Sequence, residues 1–388
     1  MRNVRQPEEI HPRLEMTQAV RRLVVKVGSS VLASKGRRLD PCRIHHLVFE
    51  LSGLREEGRE VILVSSGAIL AGLNQLKWEK RPKDIPLKQA AAAIGQSRLM
   101  WAYQEAFQFQ GQMVAQVLLT QDDVRDRSRY LNARNTLLTL LHLQVIPIIN
   151  ENDTVATEEI RFGDNDQLSA LVANLVDANL LVILTDTDGL FTADPRRNRG
   201  ARLISEVPRI TPQIDLWAGE SSSGMGVGGM SSKILAAKMA VASGIPTIVA
   251  NGKTEGILGQ IMEGKATGTL FLPELDRMRG RKRWLAFATQ PQGVITVDEG
   301  AKSALIQKGK SLLPSGVIEV RGDFRPGDVV SLLDKGKLEF AKGLVNYAAE
   351  EVNEIRGCRS TQIQKILGYK HSDEVIHRDN LVLLEKSL

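Results

Sequence analysis

Cysteine is scarce in this chain, which has 388 residues and only two cysteines, Cys42 and Cys358. Two cysteines so far apart build neither a disulfide framework nor a cysteine-based zinc site, and they favour a reducing compartment. Long hydrophobic runs are also absent, because the densest, Leu180–Leu184, has only the length of a β-strand. The N-terminus lacks the apolar core of a secretory signal. We therefore expect a cytoplasmic protein without membrane-spanning segments.

What remains is ordinary globular composition, with 43% hydrophobic and 25% charged residues, enough for two or three domains. Basic side chains exceed acidic ones by six. Residues 275–388 contribute 19 basic and 15 acidic side chains, and five of the seven residues 277–283 are basic. A mild positive excess suits phosphate-bearing ligands. Its uneven distribution indicates two parts with different partners.

Short segments rich in Val, Ile and Leu alternate with helical patterns over residues 23–273. Because these segments show no polar alternation, they are typical of strands buried on both faces of a parallel sheet. The predicted strands are Leu23–Val27, Glu60–Val64, Met113–Leu119, Val145–Ile149, Leu180–Leu184 and Thr247–Ala250. The predicted helices are Arg43–Glu57, Leu87–Phe109, Arg129–Leu143, Gln167–Asp177 and Ser231–Ala242. This order predicts an α/β fold, a three-layer αβα sandwich around a mostly parallel sheet.

A smaller β-rich domain is predicted after Trp284, where short strands are separated by turn signals. Its strands are expected at Gly293–Val297, Ile318–Val320, Val329–Leu333, Glu339–Gly343 and Leu381–Leu384. The predicted organisation is a loosely ordered extension at 1–20, an α/β domain at 21–274, a basic linker at 275–290, a β-rich domain at 291–370 and a terminal strand with a tail at 371–388.

Small and polar residues follow four of the predicted strands of the α/β domain. They are Lys26–Ser30, Ser65–Ala68, Asn150–Asp153 and Thr185–Asp186. One such turn is ordinarily a plain connection between a strand and a helix. Ligands of open parallel sheets bind beyond the carboxyl ends of the strands, so four turns of this kind predict one shared binding site.

A glycine-rich segment, Gly224–Lys233, opens a predicted helix and carries a lysine in its first turn. Successive backbone N–H groups in such a loop can bind an anion, and Lys233 adds a positive charge. The pattern G-x-G-x-x-G occurs at Gly224, Gly226 and Gly229, but no strand directly precedes it, which argues against a dinucleotide site. The P-loop pattern is absent. The alternative is a flexible loop without a ligand.

Two acids flank an amide in Asp164–Asp166, just before a predicted helix. One of the three side chains could simply cap that helix, but three exceed what capping requires. They predict recognition of an ammonium group or orientation of nearby lysines. No Ser-His-Asp or Cys-His arrangement stands out in the chain.

Together these motifs resemble those of the amino acid kinase superfamily, most closely its branch that acts on glutamate. The motifs that carry the resemblance are Lys26–Ser30, Ser66–Ala68, Ile149–Asp153, Gly163–Asp166, Leu184–Pro195 and Gly226–Lys233. Residues 291–369 resemble a PUA domain, a module that elsewhere binds RNA. The resemblance spans about residues 22–370 and implies the amino acid kinase fold. It also implies ATP-dependent phosphorylation of the side-chain carboxylate of L-glutamate, the first step of proline biosynthesis.

The resemblance also implies roles for individual residues. Lys26 would contact the transferring phosphoryl group, Lys233 the nucleotide phosphates, and Asp166 would orient both lysines. The implied glutamate-binding residues are Ser66, Gly67, Asn150, Asp153 and Asn165, with Asp153 as the partner of the ammonium group. The implied nucleotide-binding residues are Lys26, Thr185, Asp186, Val227, Gly228, Gly229, Met230, Ser231, Ser232 and Lys233. Mg²⁺ would travel with ATP and keep several waters, so no protein ligand is named for it.

Further partners follow from the resemblance alone: proline as a feedback inhibitor, a second copy of the chain in a dimer or tetramer, and a reductase that consumes the unstable glutamate 5-phosphate. One alternative is another kinase of the superfamily, acting on acetylglutamate, aspartate or a nucleotide. The other is an RNA-binding or RNA-modifying protein, favoured by the PUA-like domain and the basic run 277–283. RNA binding by phosphate contacts would depend on salt, and we expect it to be weak or absent.

Overall fold

The computed structural model describes residues 12–34, 38–125, 127–155, 165–220, 229–273 and 291–384. The chain divides into two compact units, Met1–Arg277 and Met278–Leu388, which are described separately. Within the described ranges, no helix combines the length and the apolar character needed to cross a membrane. The basic run 277–283 lies outside these ranges.

The first unit is built on an eight-stranded sheet with the strand order β3-β4-β2-β1-β5-β7-β8-β6. Its strands are β1 Arg22–Val27, β2 Glu60–Ser65, β3 Val114–Leu119, β4 Ile146–Glu151, β5 Leu180–Thr185, β6 Glu206–Val207, β7 Thr247–Asn251 and β8 Thr269–Phe271. All neighbours run parallel except β7 and β8. The six predicted strands are confirmed as β1 to β5 and β7, and the short β6 and β8 were not predicted.

Burial differs between the middle and the edge of this sheet. Every residue of β4 and β5 is buried, as the unbroken apolar runs predict. In β3 only Leu119 is buried, while Gln116 and Leu118 are exposed. The prediction that this strand is buried on both faces is wrong, because β3 is an edge strand with one neighbour.

Helices connect the strands of the first unit and confirm the predicted α/β order. They are α1 Pro12–Gln18, α2 Ser29–Leu32, α3 Pro41–Glu56, α4 Ala68–Gln75, α5 Ile85–Phe109, α6 Gln121–Arg125, α7 Arg127–His142, α8 Asn165–Leu175, α9 Pro212–Glu220, α10 Met230–Val241 and α11 Ile257–Met262. The start of α3 is specified locally, because the Asp40 side chain accepts a hydrogen bond from the backbone N–H of Cys42 and Pro41 occupies the first helical position.

Two glycines bring α4 and α5 into backbone contact. A Cβ atom at Gly72 would lie 1.8 Å from the carbonyl oxygen of Ala91, and one at Gly95 would lie 1.8 Å from that of Ala68. Any larger residue at either position would push the helices apart. The contact therefore fixes where α5 stands relative to α4, the helix that follows β2.

Residues 12–20 of the N-terminal extension pack against the first unit. Thr17 donates a hydrogen bond through Oγ1 to the carbonyl oxygen of Met262 at 3.0 Å, and Arg13 donates through Nη2 to that of Thr267 at 2.5 Å. Arg13 and Thr17 are four residues apart on α1 and share one buried face of the helix. The expectation of loose order therefore does not hold for residues 12–20, and residues 1–11 lie outside the described ranges.

The second unit contains a five-stranded sheet with the order β10-β9-β11-β12-β13. Its strands are β9 Gly293–Val297, β10 Val317–Gly322, β11 Val329–Leu333, β12 Glu339–Leu344 and β13 Leu381–Leu383. Its helices are α12 Glu299–Lys308, α13 Ala349–Ile355 and α14 Ile363–Leu367. The five predicted strands are confirmed. They enclose a core of their own around residues such as Ile295, Phe324, Leu332 and Tyr347, and β13 pairs with β12.

Candidate active site

Three charged side chains from distant parts of the sequence form a buried ion cluster. Asp166, in the first turn of α8, lies 2.5 Å through Oδ1 from Nζ of Lys26 and 3.1 Å through Oδ2 from Nζ of Lys233. Their exposures are 0%, 2% and 5% respectively. Buried charges are tolerated when they are paired, so Asp166 makes the burial of two lysines possible. Two ammonium groups held at one place favour an anionic ligand.

The elements that bring the cluster together meet at one edge of the sheet. Lys26 is the penultimate residue of β1, and Lys233 lies in the first turn of α10. The hydroxyl of Ser232 is placed to donate to Oδ2 of Asp166 at 2.7 Å and to the carbonyl oxygen of Gly229 at 2.9 Å. Ser232 therefore links the start of α10 to the cluster instead of pointing away from it.

A second group of polar residues lies beyond β2 and β4. Nδ2 of Asn165 approaches the carbonyl oxygen of Ser65 at 2.9 Å, Oγ of Ser66 at 3.1 Å and Oδ1 of Asn150 at 2.8 Å. The structure thus joins three of the residues to which the sequence assigned glutamate binding. Because Asn165 directly precedes Asp166, this group adjoins the ion cluster.

The remaining residues assigned to glutamate also lie at this edge. Gly67 is the N-cap of α4 and has a φ of +118°, a conformation that glycine adopts at no steric cost. Asp153 is half-buried in the turn that follows β4. Asp164 lies outside the described residues.

Two contributors on α5 were missed by the sequence predictions. Oε1 of Gln96 accepts a hydrogen bond from Nδ2 of Asn150 at 2.7 Å, and the hydroxyl of Tyr103 lies 2.8 Å from Oγ of Ser65. Burial raises the pKa of the Tyr103 hydroxyl, which therefore stays protonated. Gln96 and Tyr103 are seven residues apart and share a helix face. The seven-residue spacing next to Gly95 could have indicated that Gln96 and Tyr103 lie on one face of α5. It does not show which face of α5 packs against the sheet.

A pocket opens on the other side of β1, beyond β5. Its lining includes Thr185, Asp186, Gly189, Phe191, Gly229 and Lys233. Met230 also lines it, whereas Val227 and Gly228 lie outside the described residues. Because β1 lies between β2 and β5, the ion cluster separates this pocket from the polar group around Asn165.

Comparison with protein families agrees with this arrangement. The model of the amino acid kinase family matches residues 21–251. The chain belongs to the amino acid kinase family. A PUA domain model matches residues 293–367, which confirms the resemblance of residues 291–369 to that domain.

Relatives of this family member include proteins named glutamate 5-kinase. The one from Geobacter sp. (strain M21) is 50% identical over 372 residues, which cover 96% of this chain and 100% of that protein. The one from Geobacter sulfurreducens is 52% identical over 365 residues, or 94% of this chain and 98% of that protein. Among solved structures, carbamate kinase from Giardia lamblia is 16% identical with a TM-score of 0.49, covering 66% of this chain and 99% of that one.

Proposed function

We propose that this chain transfers the γ-phosphoryl group of ATP to the side-chain carboxylate of L-glutamate, which yields L-glutamate 5-phosphate for proline biosynthesis. The observation that carries this proposal is the ion cluster of Lys26, Asp166 and Lys233. It lies between a pocket beyond β5 and a polar group beyond β2 and β4. Relatives named glutamate 5-kinase, at about half identity over nearly the whole chain, support the same acceptor.

The reaction needs positive charge more than proton transfer. A carboxylate oxygen forms a bond to the γ-phosphorus while the bond to the β,γ-bridging oxygen breaks, and that electron pair leaves with ADP. The carboxylate is already ionised at neutral pH, because its ordinary pKa is about 4.3, so no general base is required. Two anions must approach each other, and Lys26 and Lys233 lower the repulsion between them.

The polar group beyond β2 and β4 would bind glutamate. Ser66, Asn150 and Asn165 offer hydroxyl and amide groups, and the backbone at Gly67 is open to close approach. Asp153 would pair with the ammonium group of the substrate. These assignments place the acceptor carboxylate at the ion cluster and the amino-acid end farther along the sheet edge.

The pocket beyond β5 would bind ATP. Thr185, Asp186 and the segment 227–233 would surround the nucleotide, with Lys233 beside its phosphates. Gly229 has no side chain, and an added Cβ there would meet no atom closer than 3.7 Å, so this part of the lining leaves room for the nucleotide. In the described ranges, no three His, Cys, Asp or Glu side chains are grouped to hold a metal ion. We propose that Mg²⁺ enters with ATP, where it neutralises phosphate charge and retains waters.

The proposal extends to partners that the family resemblance supports. They are proline as a feedback inhibitor, a homodimer or homotetramer, and a reductase that removes the unstable acyl phosphate. We also propose a cytoplasmic location. The PUA domain is proposed to bind RNA weakly or not at all, and a titration with structured RNA at several salt concentrations tests this.

The acceptor is tested by trapping the acyl phosphate with hydroxylamine while ADP release is followed. We expect L-glutamate to be the preferred acceptor in a panel with acetylglutamate, aspartate and a nucleoside monophosphate. Proline should then be added to the glutamate reaction. Preference for any other member of the panel would contradict the proposal.

The two lysines are tested by Lys26→Ala and Lys233→Ala. Each should lower kcat at least about tenfold, because each removes a positive charge at the transferring group. Lys238→Ala is the matched control, since Lys238 is on the same helix as Lys233 but pairs with Asp215 at the surface. Near-normal turnover in either folded active-site variant would contradict the assignment.

Asp153→Ala addresses the amino-acid end. We expect mainly a higher KM for glutamate, because the variant loses the partner of the ammonium group without changing the phosphoryl site. Steady-state kinetics with varied glutamate measure this, and an unchanged KM would count against the role.

A further inference from the structure

Three side-chain amides form a continuous amide relay at the carboxyl ends of β2 and β4. Asn165 donates through Nδ2 to Oδ1 of Asn150 at 2.8 Å, and Asn150 donates through Nδ2 to Oε1 of Gln96 at 2.7 Å. Gln96 is the last member of the relay. The relay therefore has a direction, because the NH2 group of each asparagine donates to the oxygen of the next amide.

Backbone groups determine that direction. The carbonyl oxygen of Ser65 can only accept, so the group facing it at 2.9 Å must be Nδ2 of Asn165. The backbone N–H of Glu151 can only donate, so the group facing it at 2.9 Å must be Oδ1 of Asn150. With both asparagines oriented, Oε1 of Gln96 must face Asn150. Nε2 of Gln96 then carries the two N–H groups at the end of the relay.

The end of the relay is firmly held and open. Gln96 follows Gly95, where α5 touches the backbone of α4 at Ala68, so its Cα cannot drift. The side chain is half-buried, and within the described ranges no atom accepts a hydrogen bond from Nε2. A fixed amide donor at the rim of a substrate site is suited to a carboxylate oxygen.

We propose that Nε2 of Gln96 binds the α-carboxylate of the glutamate substrate, an inference that rests on the function proposed above. Asn150, which donates to Gln96, is on β4, two strands from Lys26 on β1, which is a separation of about 10 Å. The two carboxylate carbons of glutamate are about 5 Å apart when extended, and a hydrogen bond adds about 3 Å at each end. Glutamate can thus reach from the ion cluster to Gln96 with its γ-carboxylate reacting and its α-carboxylate bound.

The test compares Gln96→Ala with Gln96→Glu on two acceptors, L-glutamate and L-glutamate α-amide, by hydroxylamine trapping. The side chain of the Gln96→Glu variant keeps an oxygen that accepts from Nδ2 of Asn150, but its second oxygen takes the place of Nε2 and so presents a negative charge to the substrate. It therefore separates binding of substrate from mere positioning of Asn150. The exposed Gln104 on the same helix supplies the control Gln104→Ala.

Gln96→Ala is expected to raise KM for L-glutamate about 10- to 100-fold, the effect of losing one hydrogen bond to a charged group. Its kcat should change little. Gln96→Glu should raise KM further, and should lose most of the preference for L-glutamate over the α-amide in kcat/KM. Gln104→Ala should behave like the unmodified chain.

A Gln96→Glu variant with an unchanged KM would show that Gln96 only positions Asn150 and would overturn the proposal. A raised KM with an unchanged ratio between the two acceptors would overturn it as well, because the α-carboxylate would not be the group bound. Failure of the unmodified chain to form hydroxamate from glutamate would instead refute the proposed function, and this inference with it.

Discussion

Asp166→Asn removes the negative charge that holds two buried lysines. Asp166 is fully buried, and its carboxylate lies 2.5 Å from Nζ of Lys26 and 3.1 Å from Nζ of Lys233. Asparagine has nearly the same shape and still accepts a hydrogen bond from Ser232. The substitution therefore removes a buried negative charge from beside two ammonium groups, with little change in packing.

Breaking a buried ion pair by removing one partner costs about 3–5 kcal/mol. For a unit of this size, 1 kcal/mol corresponds to a change in Tm of about 2–4 °C. We therefore expect the Tm of the first unit to fall by about 6–20 °C. We also expect Mg²⁺–ATP to raise the Tm of the variant more than that of the unmodified chain, because its phosphates replace the lost negative charge.

Thermal unfolding with and without Mg²⁺–ATP, together with kcat, measures both effects. The control is Asp215→Asn, which breaks the exposed pair with Lys238 and should cost less than about 1 kcal/mol. We expect kcat of Asp166→Asn to fall at least about tenfold, since Lys26 and Lys233 lose the group that orients them. A folded variant with an unchanged Tm would refute the claim that Asp166 neutralises the lysines.

Two further predictions concern the scaffold. Burial raises the pKa of Glu50 on α3, whose carboxylate accepts the backbone N–H of Leu258 at 2.7 Å. Because the pKa of this carboxyl group is higher in the folded chain than in the unfolded chain, protonated Glu50 favours folding. This contribution to the free energy of unfolding is complete below the unfolded-state pKa of about 4.3 and is lost as the pH rises through the folded-state pKa. The Tm of Glu50→Gln, relative to that of the unmodified chain, should therefore be higher at pH 7 than at pH 4. Arg13→Ala should lower stability by about 1.5–3 kcal/mol, because the buried guanidinium of Arg13 donates to Thr267.

Thermal unfolding measures the effects of Glu50→Gln and Arg13→Ala. A gain for Glu50→Gln that is equal at pH 4 and pH 7 would rule out titration of Glu50 as its cause. The exposed Arg21, which follows α1, supplies the control Arg21→Ala. If Arg13→Ala and Arg21→Ala unfold at the same temperature, α1 does not stabilise the first unit through Arg13.

The strands and the polar residues at their carboxyl ends were predictable, because a strand that is buried on both faces consists almost entirely of apolar residues. Unbroken apolar runs such as Leu180–Leu184 can lie only where helices cover both faces of the sheet. An edge strand such as β3 has almost the same composition but only one neighbour, and composition alone does not reveal which strand is outermost. The excess positive charge of residues 275–388 was no guide to the site, because the charges at the candidate site belong to the first unit.

The sequence by itself determined the α/β order, the placement of polar residues at the carboxyl ends of the strands, and the motifs shared with the amino acid kinase family. The resemblance implied that Asp166 orients Lys26 and Lys233, but only the tertiary structure decided that all three side chains are buried and that the carboxylate of Asp166 lies 2.5 Å from Nζ of Lys26 and 3.1 Å from Nζ of Lys233. It also decided that Gln96 ends a directed chain of amides. The physical reason is that hydrophobic periodicity is local in sequence, whereas charge pairing and hydrogen-bond direction depend on atoms brought together from separate segments.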